Sequence, residues 1–484
     1  MTRGSARSAT AGERSAIMPL TLAAACLVLS GCTMSPTTAF TTQSASGVTL
    51  QGAVHAGQNP VTGASIYLFA AGTSGYGSGS VSLLKSSVET HNPAGGGEDG
   101  SGNYYALTAN GSNGAAGSFS FTTADWSSNC PSASSPVYML AVGGNPGGGA
   151  NPNLALMAAL GPCSGVTSST IVIVNEVTTV GSVWALSPFM TAVTNNTAAA
   201  SGINIGADST NQTGLTNAFT TVINNVVNTT TGAASGPSLP VNATVPVAKI
   251  NTLANILSSC VNTTGGTAGG SGNCATLFTA TTVNSVAPTT TLAAALNMAQ
   301  HPGVTSSTMT TLFGLQQSVG APFSGLSSAP NDLTIAINYT GGGLTAPKGI
   351  AVDHSGNVWL ANTTGNSVTE LSNLGAAASG SPFDPSNLLN SPSGIAVDEA
   401  GSIWVASNGN SSVIKLTSGG ELSSTYTTGI DAPTGVAVDG SGNLWVNNHG
   451  NGSVTEISTG GTTTNYPGAS AGIAAPLAIA VSPK

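Results

Sequence analysis

The pattern of hydrophobic and polar positions changes twice along the 484-residue chain. Between residues 47 and 175, apolar and polar residues alternate in short runs separated by Gly, Asn and Pro, which is typical of half-buried β-strands. The clearest strand candidates are 47–57, 60–72, 104–108, 118–122, 137–142 and 171–174. This spacing predicts a β-sandwich over residues 47–175, with a long glycine-rich surface loop at 72–102.

A helical period replaces the alternation after Asn175. Leu215, Phe219, Val222 and Val226 recur at spacings of three and four, which places them on one face of a helix. Further helices are predicted at 248–261, 290–300 and 305–319. The sequence therefore predicts a small α-helical domain over residues 176–330. Its polar positions carry Thr, Ser and Asn, which are weak helix formers, so packing must stabilise these helices.

The last part of the chain repeats one unit three times, starting at Pro347, Pro392 and Pro433. Each unit has an Asp six residues before a Trp and a Val nine residues after it. The three Asp–Trp–Val sets are Asp353, Trp359 and Val368; Asp398, Trp404 and Val413; and Asp439, Trp445 and Val454. The spacing is constant inside the units and variable between them. Rigid strands joined by adjustable loops are typical of propeller blades.

The number of units is low for a closed ring. Residues 476–484 (PLAIAVSPK) repeat only the first strand of a fourth unit, whereas closed propellers have four to eight blades. The sequence therefore predicts a partial β-propeller of about three to four blades over residues 331–484, in a multidomain, mainly β chain. We expect residues 335–338 to pair with 479–481 and close the ring. Otherwise an exposed edge would need cover from the helical domain or from a second copy, in a homo-oligomer.

Two resemblances follow from these motifs. The units PKGIAVDHSGNVWLANTTGNSVTELS, PSGIAVDEAGSIWVASNGNSSVIKLT and PTGVAVDGSGNLWVNNHGNGSVTEIS resemble NHL repeats and, more distantly, virginiamycin B lyase-type propellers. The segments PVTGASIYL and GSFSFTT resemble the carboxypeptidase-regulatory or Cna-B type of β-sandwich, whose members usually act as spacers or adhesive modules. The lyase resemblance would imply a His and an acid on adjacent blades, and the repeats contain no aligned pair of that kind. A propeller fold alone does not specify a function.

The N-terminus has the features of an export signal. Three Arg precede the apolar run 17–29, which ends in Leu29-Ser30-Gly31-Cys32 and resembles the lipobox of bacterial lipoproteins. The resemblance implies a signal peptide at 1–31, fatty acyl chains such as palmitate on Cys32, and a flexible Ser/Thr-rich tether at 32–46. An ordinary cleaved signal is the alternative. Thr33 and Met34 follow the cysteine in place of Asp, which favours the outer membrane as the location of a membrane-anchored lipoprotein.

Charge and cysteine content limit the possible partners. The chain has 8 Lys+Arg against 17 Asp+Glu, and every Arg lies in the first 14 residues, so nucleic-acid binding is excluded. Cys130, Cys163, Cys260 and Cys274 remain after the signal and the lipid-bearing cysteine, and an even number in an oxidising compartment predicts two disulfides. Three pairings are possible. Closing the short glycine-rich loop favours Cys260–Cys274, which leaves Cys130–Cys163. A metal site is the alternative, but no Cys-x-x-Cys spacing supports it.

Motifs for catalysis are weak. The G-x-S-x-G at 468–472 is expected by chance in so Gly- and Ser-rich a chain, and no His follows it. We assign no catalytic residue, metal or cofactor, and an enzymatic role is uncertain and the less favoured reading. The repeated Asp could hold calcium, but a turn accounts for it better. The repeated Trp is first a packing residue and second a stacking platform for a ligand.

The candidate binding surface consists of the hairpins at 362–366, 407–411 and 447–451. The residues predicted to contact a ligand are Asn362, Asn366, Asn408, Asn410, Asn447, Asn448 and His449, with Trp359, Trp404 and Trp445 beside them. Uncharged amides suit a glycan or a peptide backbone. The sequence predicts a lipid-anchored envelope protein that binds or scaffolds a neutral ligand, either a glycan or an envelope protein, through its propeller. The alternatives are a propeller lyase or hydrolase and a purely structural spacer.

Overall fold

The chain is mainly β, with about 31% of the described residues in strands and 22% in helices. The structure is a computed structural model that describes residues 48–126, 129–167, 169–192, 203–317, 320–468 and 472–481. The signal peptide, Cys32, the tether and the centre of the G-x-S-x-G motif lie outside these residues. Within the described ranges, every helix is too short or too polar to cross a bilayer.

The N-terminal part contains two stacked sheets. Its elements are β1 (Val48–Ala56), β2 (Asn59–Pro60), β3 (Ser65–Ala70), β4 (Val81–Ser82), α1 (Val88–His91), β5 (Gly96–Glu98), β6 (Tyr104–Leu107), β7 (Ser118–Thr122), α2 (Thr123–Trp126), β8 (Pro136–Val142), β9 (Ala155–Pro162) and β10 (Thr170–Val174). One sheet has the order β5-β6-β3-β8-β9, with β4 also on β3. In the other sheet β1 pairs with β2, with β7 and, in parallel, with β10. The two sheets share one hydrophobic core, and the parallel β1–β10 pair departs from the all-antiparallel pairing of a simple β-sandwich.

The sheet that contains β3 and β8 is buried on both faces. Leu68 and Met139 point into the core between the two sheets, while their neighbours Phe69 and Tyr138 belong to a second core on the opposite face. Successive residues of a strand point to opposite faces, so burial on both sides requires a nearly continuous apolar run such as PVYMLAV in β8. The second core is completed by helices. The architecture is therefore sheet, sheet and helices in three layers.

The helical layer begins immediately after β10. Its helices are α3 (Glu176–Leu186), α4 (Gln212–Thr221), α5 (Val247–Val261), α6 (Asn273–Ala280), α7 (Thr291–Gln300) and α8 (Ser306–Gln317). Short strands accompany them: β11 (Met190–Ala192), β12 (Ile203–Ile205), β13 (Val227–Asn228), β14 (Ala233–Ala234), β15 (Ala243–Thr244) and β16 (Asn338–Tyr339). Asn175 caps α3, because its side chain accepts a hydrogen bond from Thr178 N at 2.9 Å. The helices share one hydrophobic core with the adjoining sheet.

The predicted ring closure between residues 335–338 and 479–481 is wrong. Asn338 pairs with Thr244 in the two-stranded β15–β16 sheet. Ile335 and Ile337 pack against the core of the helical layer, and Trp184 Nε1 donates a hydrogen bond to Leu333 O at 2.6 Å. These apolar side chains find a core already built by α3 and α5, which offers more burial than a two-stranded closing blade.

The C-terminal part forms three antiparallel sheets, one for each repeat unit. The strands are β17 (Pro347–Val352), β18 (Val358–Asn362), β19 (Ser367–Leu371), β20 (Pro392–Val397), β21 (Ile403–Ser407), β22 (Ser412–Leu416), β23 (Leu422–Tyr426), β24 (Pro433–Val438), β25 (Leu444–Asn448), β26 (Ser453–Ile457) and β27 (Thr463–Tyr466). The first sheet has three strands, and the second and third have four each. We call these sheets blades 1, 2 and 3. Separate hydrophobic clusters fill the spaces between blades 1 and 2 and between blades 2 and 3.

Two disulfides lie in the described part of the chain before the repeat units, one among the sheets and one in the helical layer. Cys130 is bonded to Cys163, and Cys260 is bonded to Cys274. These are the pairings that the sequence favoured. The second bond links the end of α5 to the start of α6. Disulfides persist in oxidising compartments, so they indicate an exported, non-cytoplasmic protein.

Candidate functional site

The Asp of each repeat unit bonds the Trp of the same unit. Trp404 Nε1 donates to Asp398 Oδ2 at 2.9 Å, and the equivalent distances are 3.0 Å for Trp445 to Asp439 and 3.4 Å for Trp359 to Asp353. The other carboxylate oxygen accepts backbone N–H groups of the turn that follows, for example Asn443 N at 2.9 Å in blade 3. The hydrogen bond from Trp445 and those from the turn lower the pKa of Asp439 to about 2. The carboxylates thus accept hydrogen bonds from the turn and from the indole, and so hold both in place.

The three Trp rings are stacked inside the blades. Trp359 is fully buried against Phe383, with ring centroids 5.8 Å apart, and Trp404 is 5% exposed. Lys415 Nζ lies 4.5 Å from the centre of the Trp404 ring. Burial leaves Trp359 and Trp404 without a free face for a ligand. Trp445, stacked on Tyr466 at 5.8 Å, is partly exposed.

Two of the predicted asparagines are internal braces. Asn362 and Asn448 occupy equivalent positions in blades 1 and 3, and both are fully buried. Asn448 Nδ2 donates to Ser453 Oγ at 3.0 Å and to Thr455 Oγ1 at 2.9 Å, and Asn362 makes the same two bonds in its own hairpin. A buried amide that lost these partners would be costly, so these side chains stabilise the hairpins.

The other predicted residues lie at the blade ends. Asn408 Nδ2 and Asn447 Nδ2 donate to the carbonyls of Pro433 and Pro476, which begin the next repeat, at 3.1 and 2.8 Å. Three further residues are exposed at the same end, namely Asn366, Asn410 and His449. Asn366 Oδ1 and Asn410 Nδ2 each also bond a backbone group. Any ligand at these hairpins would meet chiefly the exposed three.

The two histidines of the propeller lie at opposite ends of the blades. His354 is in the turn that joins β17 to β18, next to the Val352–Val358 pair. His449 is in the turn that joins β25 to β26, beside the Asn448–Ser453 pair. The strand pairing therefore keeps the two imidazoles apart, and they do not share a site. Among the described residues, no cluster of three His, Cys, Asp or Glu could hold a metal ion.

Blade 1 exposes an apolar edge. Ile350 is 66% exposed and Val352 is 60% exposed. The residues equivalent to Ile350 in the next two blades, Ile395 and Val436, are only 7% and 8% exposed because each packs against the preceding blade. Among the described residues, no preceding blade covers this edge of blade 1. We call the surface around Ile350 and Val352 the open edge.

The far end of the propeller carries the start of a further blade. Pro476 O accepts hydrogen bonds from Thr434 Oγ1 at 3.0 Å and Asn447 Nδ2 at 2.8 Å. Pro433 O accepts the same kind of bonds from Ser393 and Asn408, each at 3.1 Å. Residues 476–481 thus lie where the first strand of a fourth blade belongs, although they pair with no other strand within the described ranges. Leu477 is 72% exposed there.

A polar cleft lies outside the propeller and was missed by the sequence analysis. It has a volume of about 520 Å³ and lies between the β1–β2 turn, the loop after β8, the end of α5 and the loop at 320–322. Behind its wall, both carboxylate oxygens of Glu176 accept the N–H of Gly57, at 3.0 and 2.9 Å. Glu176 is fully buried, and burial raises its pKa to about 7 against the opposing effect of its hydrogen bonds with Gly57 and Ser258. A single Glu inside the apolar sequence IVIVNEVTTV was the signal that could have revealed it.

The comparisons with known proteins give only partial likenesses to propellers. No protein-family model matches the chain, and no curated protein sequence matches it either. Virginiamycin B lyase from Staphylococcus aureus is similar over 28% of this chain and 45% of its own, with 15% identity and a TM-score of 0.25. A streptogramin B lyase gives 23% identity over 28% of this chain and 44% of its own, with a TM-score of 0.25. The hydrazine synthase of Kuenenia stuttgartiensis gives 19% identity over 28% of this chain and 38% of its own, also with a TM-score of 0.25. The chain thus spans less than half the length of these structures, and the similarity to propeller proteins is weak.

Proposed function

We propose that this protein is an exported binding or scaffolding protein that docks a protein partner on the open edge of its propeller. The observation that carries the proposal is the contrast between Ile350, 66% exposed, and the equivalent Ile395 and Val436, 7% and 8% exposed. The same repeat position is buried between blades in two units and exposed in the first unit. An exposed apolar surface rimmed by polar residues is typical of a protein interaction site.

The repeats also define the chemistry of the partner. Ile395 belongs to a cluster with Trp359 and Val368 of blade 1, and Val436 belongs to a cluster with Trp404 and Val413 of blade 2. A partner for the open edge should therefore present a β-sheet face with aromatic and branched apolar side chains. Such a surface favours a protein over a glycan at this edge.

The proposal includes a membrane anchor. The Leu-Ser-Gly-Cys sequence ending at Cys32 supports acylation, and the two disulfides support export. We place the protein on the outer membrane, where an acylated Cys32 and the tether at 32–46 would hold the folded part near the membrane surface. The exposed residues Asn366, Asn410 and His449 give a second surface, at the blade ends, suited to a neutral ligand.

The test is partner binding by the full-length chain, purified in detergent. Mass measurement detects self-association, and capture from envelope extract followed by mass spectrometry identifies other partners. We expect the variant Ile350→Asp to weaken the specific complex at least about tenfold, because a carboxylate would be desolvated against an apolar face. Val241→Asp is the matched control, since Val241 is fully exposed outside the propeller.

Three outcomes separate the possibilities. A complex lost in Ile350→Asp and kept in Val241→Asp supports the open edge, and its mass tells whether the partner is a second copy. A complex that both variants retain, but that is lost when Asn410 and His449 are replaced by Ala, moves the binding site to the blade ends and overturns the proposal. A monomer that captures no partner overturns it as well.

A further inference from the structure

The polar cleft is lined by four segments, and hydrogen bonds fix the positions of three of them. The β1–β2 turn forms one wall, with Gly57 at φ 59°, a value that favours glycine. A Cβ at Gly57 would also lie 2.8 Å from Pro322 Cβ on the opposite side. The two walls therefore approach as closely as a glycine permits.

Three of the walls are anchored from behind. The buried Glu176 carboxylate holds the N–H of Gly57, as described above. Asn262 Nδ2 donates to Ser258 Oγ at 2.8 Å, and Asn59 Nδ2 donates to Asn262 Oδ1 at 3.2 Å across the cleft. In the third wall Asn145 Oδ1 accepts Gly147 N at 2.8 Å. A site held in this way loses little conformational entropy when a ligand binds.

The cleft presents uncharged polar groups. The amides of Gln58 and Asn59 lie beside the glycine backbone of Gly147 and Gly148, whereas the amide of Asn262 already bonds Ser258 and Asn59. No lining residue in the described part of the chain carries a charge. Amides and peptide groups both donate and accept hydrogen bonds, as hydroxyl groups do. A charged ligand would lose part of its hydration on entering the cleft and would find no opposite charge there to compensate. Pro146 and Pro322 add small apolar faces.

We propose that this cleft is a binding site for a small, neutral, hydroxyl-rich ligand of the size of one or two sugar rings. Its volume of about 520 Å³ is within the usual range for small-molecule sites. The site is separate from the open edge of the propeller, so it stands or falls independently of the function proposed above.

The test uses the full-length chain and neutral disaccharides as probes. N,N′-diacetylchitobiose, cellobiose and maltose are titrated by calorimetry and by ligand-observed NMR, with glucuronic acid and glucosamine as charged probes. We expect saturable binding of at least one neutral disaccharide with a dissociation constant below about 10 mM, and binding of the charged probes at least about tenfold weaker.

Glycine positions give a matched pair of variants. A Cβ at Gly148 meets nothing within 4 Å and the backbone there is unstrained, so Gly148→Trp should fill the cleft without disturbing the fold. We expect it to weaken binding at least about tenfold. Gly303 is equally open but lies away from the cleft, so Gly303→Trp should bind as the unmodified chain does.

The proposal is overturned if no neutral disaccharide binds below that concentration, if the charged probes bind as tightly, or if Gly148→Trp binds unchanged. Gln58→Ala is a second variant that should not affect folding, because Gln58 is exposed. The substitution removes one amide from the wall of the cleft. If the thermal unfolding of Gly148→Trp shows misfolding, Gln58→Ala decides: weaker binding supports the site, and unchanged binding overturns it.

Discussion

At the scale of single residues, Glu176 is an ionisable side chain that is shielded from water. It is the first residue of α3 and is fully buried, and the groups that shift its pKa are hydrogen-bond donors and not charged side chains. Burial raises the pKa from 4.5 to about 7. The folded protein therefore holds this proton more tightly than the unfolded chain does. The resulting stability is complete below pH 4.5 and is lost as the pH rises through 7.

We predict that Glu176→Gln removes part of the pH dependence of stability. Between about pH 4.5 and 7 the free energy of unfolding of the native sequence should fall by at most about 1.4 kcal/mol per pH unit through this group, and the variant should lack that slope. Gln keeps an oxygen for the N–H of Gly57. Urea titrations at several pH values measure the difference.

Glu399→Gln is the control, because Glu399 is exposed in a blade turn. It should keep the slope of the native sequence. Equal slopes for the native chain and Glu176→Gln would show that Glu176 does not titrate differently in the folded and unfolded states.

The repeated residues show what sequence can and cannot predict at this scale. The constant spacing from Asp to Trp correctly indicated a turn and a packing residue, because both are local consequences of one hairpin. The asparagines were predicted as ligand contacts. The side-chain amides of Asn362 and Asn448 instead donate hydrogen bonds to Ser and Thr hydroxyls of the next strand. The sequence does not tell whether an amide already has its hydrogen-bond partners inside the fold.

At the scale of elements, the disulfide between α5 and α6 closes a short glycine-rich loop. Cys260 and Cys274 are 14 residues apart, and Cys260, Leu277 and Phe278 lie in one core with α8. We predict that replacing both cysteines with Ala lowers the free energy of unfolding by up to about 3 kcal/mol, because the unfolded chain gains the entropy of the open loop. Chemical denaturation measures the change.

The matched comparison is replacement of Cys130 and Cys163, which close a loop with a separation of 33 residues. It should cost slightly more in the same chain-entropy treatment. A pair of variants as stable as the native chain would mean that the bonds do not restrict the unfolded state.

Elements with a clear period were predicted closely, and the others were not. The predicted strand at 118–122 is β7, and the predicted helix at 248–261 begins one residue early, at Val247. β9, with the sequence ALMAALGP, was missed because it is buried on both faces and does not alternate. α6 was missed because it is only eight residues long.

At the scale of the whole molecule, the hydrophobic clusters divide into two groups. Those of the three-layer part contain no residue after Ile337, and those of the propeller contain none before Ala351. Polar contacts join the two parts: Asn225 Nδ2 to Leu374 O at 2.8 Å and Asn373 Nδ2 to Asn217 Oδ1 at 2.7 Å. Apolar burial is the main stabilising term in folding, so we expect the two parts to unfold separately.

We predict two separate unfolding transitions in scanning calorimetry. Ile414→Ala, in the cluster between blades 1 and 2, should lower the free energy of unfolding of the propeller alone, by about 2–4 kcal/mol. Leu140→Ala should lower the free energy of unfolding of the three-layer part alone, by a similar amount. The two side chains are matched, because Ile and Leu have the same number of carbon atoms and both positions are buried. A single transition that both variants shift equally would show strong coupling.

Long-range pairing was the least predictable feature. The repeat predicted three blades and the start of a fourth, and the structure has one separate sheet for each of the three units, while residues 476–481 pair with no strand in the described ranges. The ring closure failed because a strand pattern does not specify its partner, and residues 335–338 had a competing core in the helical layer. The cleft was invisible for the same reason, since four distant segments meet there.

The proline carbonyls at the start of each repeat have one further consequence. Pro433 and Pro476 accept hydrogen bonds from the equivalent hydroxyls of Ser393 and Thr434. Pro392 and Pro433 accept hydrogen bonds from the equivalent Thr363 and Asn408. Each blade thus donates side-chain hydrogen bonds to the carbonyl of the proline that begins the next unit, although the donor positions differ. Gene duplication could lengthen such a propeller one unit at a time without redesign of the blades already present, so blade number is free to vary while the contacts between blades stay the same.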